Sequence, residues 1–391
     1  MDRRSKIFAL GLIILAGFSA ILFAIKWNQS NWQALNAPSE PHVNEAIGQA
    51  RALQKLGNVG DALVVFEKYA NLGYPDALFH TAKAYSRGWG SKPDLNKARD
   101  LFLKAVQYNF AYRGESAYEL GRLFRRSMGP DCNVVAIKWF KKALLWNYTK
   151  ASLQLASHYE RGLGAEQDIE KAVQYYEIAM RAGQEQALIK YARLLVAGRY
   201  GIEPNPDRAR FLTNQAISSL ERKARNGSAS AAKQLGRLFR NGKLVSVDKK
   251  KAEKWLLLSA KLGSRGGMHD LAQLILHSSQ QPAKQVEALD WLRVAANLGH
   301  GGAMTALGRF HLKEAYGLKQ AEALSWFTKG LLAEHGGAME ELAKLYMKGV
   351  LVTQNYEEAV RLARRGTRKG HSGTERLLKK LLKQRKNNNS S

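Results

Sequence analysis

The feature that most constrains this chain is its repetition. The nine residues from Ala77 to Tyr85 (ALFHTAKAY) have counterparts starting at Ser116, Ala151, Ala187, Ala231, Gly267, Ala303, Ala338 and Gly373. The starts lie 39, 35, 36, 44, 36, 36, 35 and 35 residues apart. A period near 36 held over eight intervals predicts a stack of small units, none of which buries its apolar face alone. Each copy reads as two helices. In the first, the fifth residue is usually leucine (Leu120, Leu155, Leu235, Leu271, Leu307, Leu342). The sixth is small in eight of nine copies (Ala82, Gly121, Ala156, Ala192, Gly236, Ala272, Gly308, Ala343), and the ninth is mostly large. These offsets share one helical face, and the small residue lets a partner helix come close.

The second helix is expected to start at Ala98, Ala136, Ala172, Ala209, Ala252, Ala288, Ala323 and Ala359, often with a large side chain three residues on, such as Trp139 or Tyr175. It is expected to end eleven residues after its alanine at Asn109, Asn147, Gly183, Gly263, Gly299 or Gly370, residues that tolerate a left-handed cap. The long interval is explained between Ala209 and Gly227, where the helix gains seven residues. Seven is nearly two turns, so the buried face is kept.

Laid out this way, the pattern resembles the Sel-one-like repeat family, a relative of the tetratricopeptide repeat. Its motif is A-x-x-x-L-G-x-x-Y-x-x-G-x-G-x-x-x-D-x-x-K-A-x-x-W/Y-x-x-x-A-A-x-x-G, which the copy from Ala151 to Gly183 follows closely. The resemblance covers residues 44–381, with Asn44 to Leu72 as a degenerate first copy and Leu378 breaking the small-residue rule in a capping last copy. The copies at Gly267 and Ala303 lack the Gly-x-Gly loop and carry Lys284 and Lys319 in place of aspartate, so their turns should differ. The resemblance implies an all-α fold, a right-handed α/α solenoid of eight to nine helix-turn-helix repeats over residues 42–386; the polar run NNNSS at 387–391 is expected to be a disordered tail. The resemblance also implies a non-enzymatic scaffold or adaptor. Relatives serve envelope assembly, secretion and host interaction in bacteria, and membrane quality control in eukaryotes.

Ahead of the repeats, Ile7 to Ile25 is 19 residues without a charge, enough to span a bilayer core as a helix. Arg3, Arg4 and Lys6 precede it and Lys26 alone follows closely. The positive-inside rule then places residues 1–6 in the cytoplasm and the solenoid outside it, periplasmic in a bacterium, beyond a polar linker at 26–41. The expectation is therefore a single-pass membrane protein; the alternative is a cleaved signal peptide and a secreted or periplasmic product.

Read alone, Gly162-Leu163-Gly164 with Asp168 invites an active-site reading. A phosphate loop would occur once, after a strand, with Lys-Ser/Thr following. Here glycines follow a helix and recur at Gly88/Gly90, Gly198/Gly201, Gly242 and Gly349, so they read as bends. Asp94, Asp168 and Asp248, each four residues before the second-helix alanine, are expected to cap that helix. One cysteine, Cys132, excludes an intramolecular disulfide, and the nine histidines show no metal-ligand spacing. No catalytic residue, cofactor or metal is expected.

Charge is where function enters. With 61 Lys plus Arg against 33 Asp plus Glu, the net charge of +28 attracts anionic partners. Counting each first helix from zero, position 6 carries Lys83, Arg122, Arg193, Arg237, Arg309, Lys344 and Lys379. Position 10 carries Arg87, Arg126, Arg161, Lys313, Lys348 and Lys383. That is 13 cations in 18 slots, where the chain average of 61 in 391 would place about three. The two positions share a helical face, and like charges stacked there do not serve helix stability. Arg125 and Arg240 at position 9 extend the stripe, and Phe79 and Tyr118 at position 2 are expected to add aromatic contacts. By the resemblance these positions line the concave ligand surface. The expected function is a membrane-anchored interaction scaffold whose basic groove holds an acidic partner segment. The alternative is an anionic polymer, an acidic polysaccharide before nucleic acid, since few groove aromatics are available for base stacking. A second basic cluster from Arg361 to Lys386 suits either an anionic lipid or glycan surface or a soluble, charged cap of the stack.

Overall fold

The computed structural model describes residues 35–36, 40–126 and 131–388. Among them are nineteen α-helices and one two-residue parallel pairing, β1 (Leu35–Asn36) with β2 (Tyr108–Asn109). The chain divides into two compact units, one up to Gln184 and one from Glu185 on.

The first unit holds α1 (Pro41–Lys55), α2 (Val59–Asn71), α3 (Pro75–Arg87), α4 (Leu95–Ala105), α5 (Arg113–Arg126), α6 (Cys132–Leu145), α7 (Lys150–Arg161) and α8 (Ile169–Arg181). The second holds α9 (Glu185–Ala197), α10 (Pro206–Arg225), α11 (Ala229–Asn241), α12 (Lys249–Lys261), α13 (Arg265–Ser278) and α14 (Pro282–Asn297). It continues with α15 (Gly301–Leu312), α16 (Ala323–Leu332), α17 (Gly336–Lys348), α18 (Tyr356–Arg368) and α19 (Ser372–Asn388). Odd-numbered helices are the first helices of the copies and even-numbered ones the second. From α3 on, each pair packs most closely on itself and then on the next pair within its unit, while α2 packs on α3 at least as closely as on α1. The repeat read from the sequence is thus an all-α stack of helix pairs.

The small position works as expected from its size. A Cβ added at Gly308 would lie 2.5 Å from Phe327 Cε1, and one at Gly236 2.5 Å from Leu256 Cγ. Phe327 and Leu256 are fully buried second-helix side chains, so the first-helix backbone itself forms the wall of the core. In the lengthened α10 the buried stripe Ala209, Leu212, Thr213, Ala216, Leu220 and Ala224 runs unbroken through the added turns.

The caps follow the aspartate spacing. Asp94 accepts the N–H groups of Asn96 and Lys97, Asp168 that of Lys171, and Asp248 that of Lys251. Asn205 and Asn355, at the same offset, do the same for Arg208 and Glu358. The turns of the two atypical copies do differ. After α13 the chain leaves directly through extended Ser279, and after α15 it passes through left-handed Glu314 and two 3-10 turns. Second helices end at left-handed Asn147, Gly183, Gly263, Gly299 and Gly370. Asn109 departs from this pattern: α4 stops at Ala105, and Asn109 pairs with Asn36 instead.

The membrane expectation is overturned. No described helix is long and apolar enough to cross a membrane. The longest, α10 at 20 residues, carries Asp207, Arg208, Arg210, Glu221, Arg222, Lys223 and Arg225, which no bilayer core would accept. This corrects the single-pass membrane placement, with its cytoplasmic N-terminus and extracytoplasmic solenoid. Residues 7–25, which carried that expectation, lie outside the described residues.

Candidate functional site: a cationic stripe with internal carboxylates

On each first helix the fifth and sixth residues turn inward, which fixes where positions 6 and 10 emerge. Every position-10 residue is exposed, from Arg87, Arg126 and Arg161 to Lys313, Lys348 and Lys383. Position 6 is half-buried at Lys83, Arg122 and Lys344, and exposed at Arg193, Arg237, Arg309 and Lys379. The two aromatic residues part ways. Phe79 is 1% exposed and stacks on Tyr112 at 4.5 Å, beneath Lys83, so it is core and offers no surface contact. Tyr118 is half-buried against Phe140 and Tyr148, with the Arg122 guanidinium 5.9 Å from its ring centre.

The stripe is not a stack of bare like charges. Carboxylates at position 3 of several copies rise beneath cations of the copy before. Arg237 Nε donates to Asp270 Oδ2 at 2.5 Å, and Arg240 Nη1 lies 3.6 Å from Asp270 Oδ1. Arg309 donates through Nε and Nη2 to Glu341 Oε1 at 3.1 and 2.9 Å. In the first unit Arg87 lies 3.8 Å from Glu119, which Arg122 of the same helix also grips, and Lys83 reaches Glu115 at 3.0 Å. Lys344 pairs with Glu340 and Glu341 on its own helix. The position-3 acids are the buried partners: Asp270 is 5% exposed at its side chain while Arg237 is 49% exposed. Burial alone would raise the Asp270 carboxyl. Neighbouring His269 together with Arg237 and Arg240 outweighs burial and draws the pKa down to about 2.

These position-3 acids are not marked by their local sequence, where each is a single acid amid many cations. Their recurrence at one offset in the copies starting at Ser116, Gly267 and Ala338 was the available signal.

The compensation is uneven. Between α5 and α7 the position-3 residue is Gln154, whose side-chain oxygen accepts from Arg125 Nη1 at 2.9 Å. Between α9 and α11 it is Gln234, and Arg193 forms no ion pair among the described residues. A cleft of about 310 Å³ opens at that step, lined by Gln186, Ile189, Lys190 and Arg193 of α9 and by Gln234, Arg237, Leu238 and Asn241 of α11. The loop that first suggested an active site is structural. Gly162 caps α7 in the left-handed conformation, and a Cβ at Gly164 would lie 2.3 Å from the Asn133 carbonyl carbon. Among the described residues no three His, Cys, Asp or Glu side chains are placed to hold a metal ion.

Eight segments of the chain match the Sel1 repeat, at residues 75–107, 114–145, 149–184, 185–219, 229–264, 266–300, 302–335 and 337–371. The chain belongs to the Sel1 repeat family. Such proteins generally mediate protein–protein interaction and are generally not enzymes. Chitin synthase regulatory factor 3 of Schizosaccharomyces pombe is 22% identical over 226 residues, covering 56% of this chain and 23% of that protein. This chain thus matches less than a quarter of that relative's length. Among solved structures, a protective antigen of uropathogenic Escherichia coli with the same repeat fold is 21% identical, covering 88% of this chain and 82% of its own, with a TM-score of 0.38. A Sel1 repeat protein of Oxalobacter formigenes is 22% identical, covering 64% and 96%, with a TM-score of 0.43. At these identities the likeness concerns the fold alone.

Proposed function

We propose that this chain is a non-enzymatic interaction scaffold whose cationic stripe receives an acidic segment of a partner protein. The observation that carries the reading is the concentration of 13 cations in 18 equivalent first-helix slots, with position 10 exposed in every copy. Family membership supports a protein partner. The position-3 ion pairs support carboxylate as the ligand chemistry, because the stripe already grips carboxylates of its own. Arg is suited to this through its rigid fork of donors.

Reversal of Arg122, Arg126, Arg193 and Arg237 to Glu tests the reading. With partners captured on the intact chain and identified by mass spectrometry, wild-type capture of acidic partners should fall as salt rises and disappear in the fourfold variant. Capture that survives both changes contradicts the proposal. Preferential binding of heparin, with log K falling steeply against log salt and no saturable protein capture, transfers the stripe to an anionic polymer.

A further inference from the structure

We propose that the cleft between α9 and α11 accepts the carboxylate of an aspartate or glutamate in an extended segment of a partner protein. That carboxylate takes the seat that Asp270, Glu341 and Glu119 fill at other steps. The inference rests on the stripe being the ligand face and says where on it recognition is strongest.

The molecule supplies its own template. At the step from α11 to α13, Arg237 and Arg240 close on Asp270; from α15 to α17, Arg309 closes on Glu341; from α3 to α5, Arg87 approaches Glu119. Each is a position-3 acid of one copy held by a cation of the copy before. From α9 to α11 the same register brings Arg193 to Gln234, whose amide carries no charge to neutralise a guanidinium. The seat is therefore left without its charge at the place where the surface opens into a cleft.

The lining suits a peptide better than a bare anion. Ile189 and Leu238 give the cleft an apolar wall. Gln186, Gln234 and Asn241 each offer both a donor and an acceptor, the complement of an extended main chain. Lys190, about one turn before Arg193, lines the cleft as a third cation beside Arg193 and Arg237. Arg237 spends its Nε on Asp270, while a guanidinium has five N–H donors in all, so one side chain can hold an internal and an external carboxylate together. A volume of about 310 Å³ stands at the small end of ligand cavities, which span about 300–1,000 Å³, enough for one side chain and its flanking backbone.

The test adds a charge rather than removing one. Gln234→Glu restores a position-3 carboxylate and lets the protein occupy its own seat. Binding of a fluorescein-labelled poly-glutamate peptide is followed by anisotropy, with poly-glutamine as the blank. Gln234→Glu should weaken binding by about tenfold or more without lowering the melting temperature. Arg193→Gln should weaken it similarly. Gln154→Glu makes the same charge change at the step from α5 to α7 and should stay within about twofold of wild type. A loss in Gln234→Glu no larger than in Gln154→Glu means diffuse attraction along the stripe and overturns the cleft assignment. If the fourfold Glu variant still loses binding in that case, the stripe itself stands. If it too binds normally, both readings fall.

Discussion

At the scale of single residues, the helix starts show how one role is filled by different chemistry. Ser228 and Ser264 cap α11 and α13 by accepting the N–H groups of Ala231 and Gly267. At the equivalent place before α15 stands His300, whose Nδ1 accepts from Ala303 N–H at 3.0 Å. Its ring lies 4.9 Å from that of His269, centre to centre. Burial, then the charges of His269, His335 and Arg265, push the His300 pKa from 6.5 down to about 4, against the opposing pull of Asp270. The unfolded chain therefore takes up this proton near pH 6.5 and the folded chain only near pH 4. Stability should fall as pH drops through that window, since the unfolded state binds more protons there. His300→Ser keeps a cap and removes the proton acceptor. Urea midpoints measured between pH 7 and pH 4 should decline less in this variant than in wild type, and identical declines would refute the assignment. The aspartate caps were legible from their fixed offset before an alanine. The histidine cap was not, because a lone His is seldom read as an N-cap.

At the scale of the element, the sequence period carried most of the information. Leucine, small and large positions recur because each first helix must present one face to its partner, and that face is what the structure buries. Gly308→Ala should push the first-helix Cβ into Phe327 and cost about 1–3 kcal/mol, read as a lowered urea midpoint. Gly48 lies in α1 with no heavy atom within 4 Å of an added Cβ, so Gly48→Ala should gain about 0.5–1 kcal/mol. Equal effects at the two sites would contradict the close-approach argument. The end of α4 was not legible, because the pairing of Tyr108–Asn109 with Leu35–Asn36 joins segments some seventy residues apart and leaves no local mark. The shape of the turns after α13 and α15 was foreseen only as a difference, since the departing residues show what is missing and not what replaces it.

At the scale of the whole molecule, net charge and the position of cations were plain from the sequence, while their partners were not. The excess at positions 6 and 10 was visible as a count, but ion pairing depends on which residue of the next copy lies beneath, as with Arg237 and Asp270. The step where that acid is replaced by Gln234 gained meaning only once the cleft was seen beside it. The central claim is that the partner lies on the first-helix face. A photo-reactive benzoylphenylalanine tests it when placed at Asn241, which lines the cleft, or at Phe211, which is 59% exposed on the second helix α10. Cross-linking of an acidic partner segment at position 241, suppressed by Gln234→Glu and absent at position 211, is the predicted result. Cross-linking at position 211 with none at 241 would place the partner on the opposite helices and contradict the account.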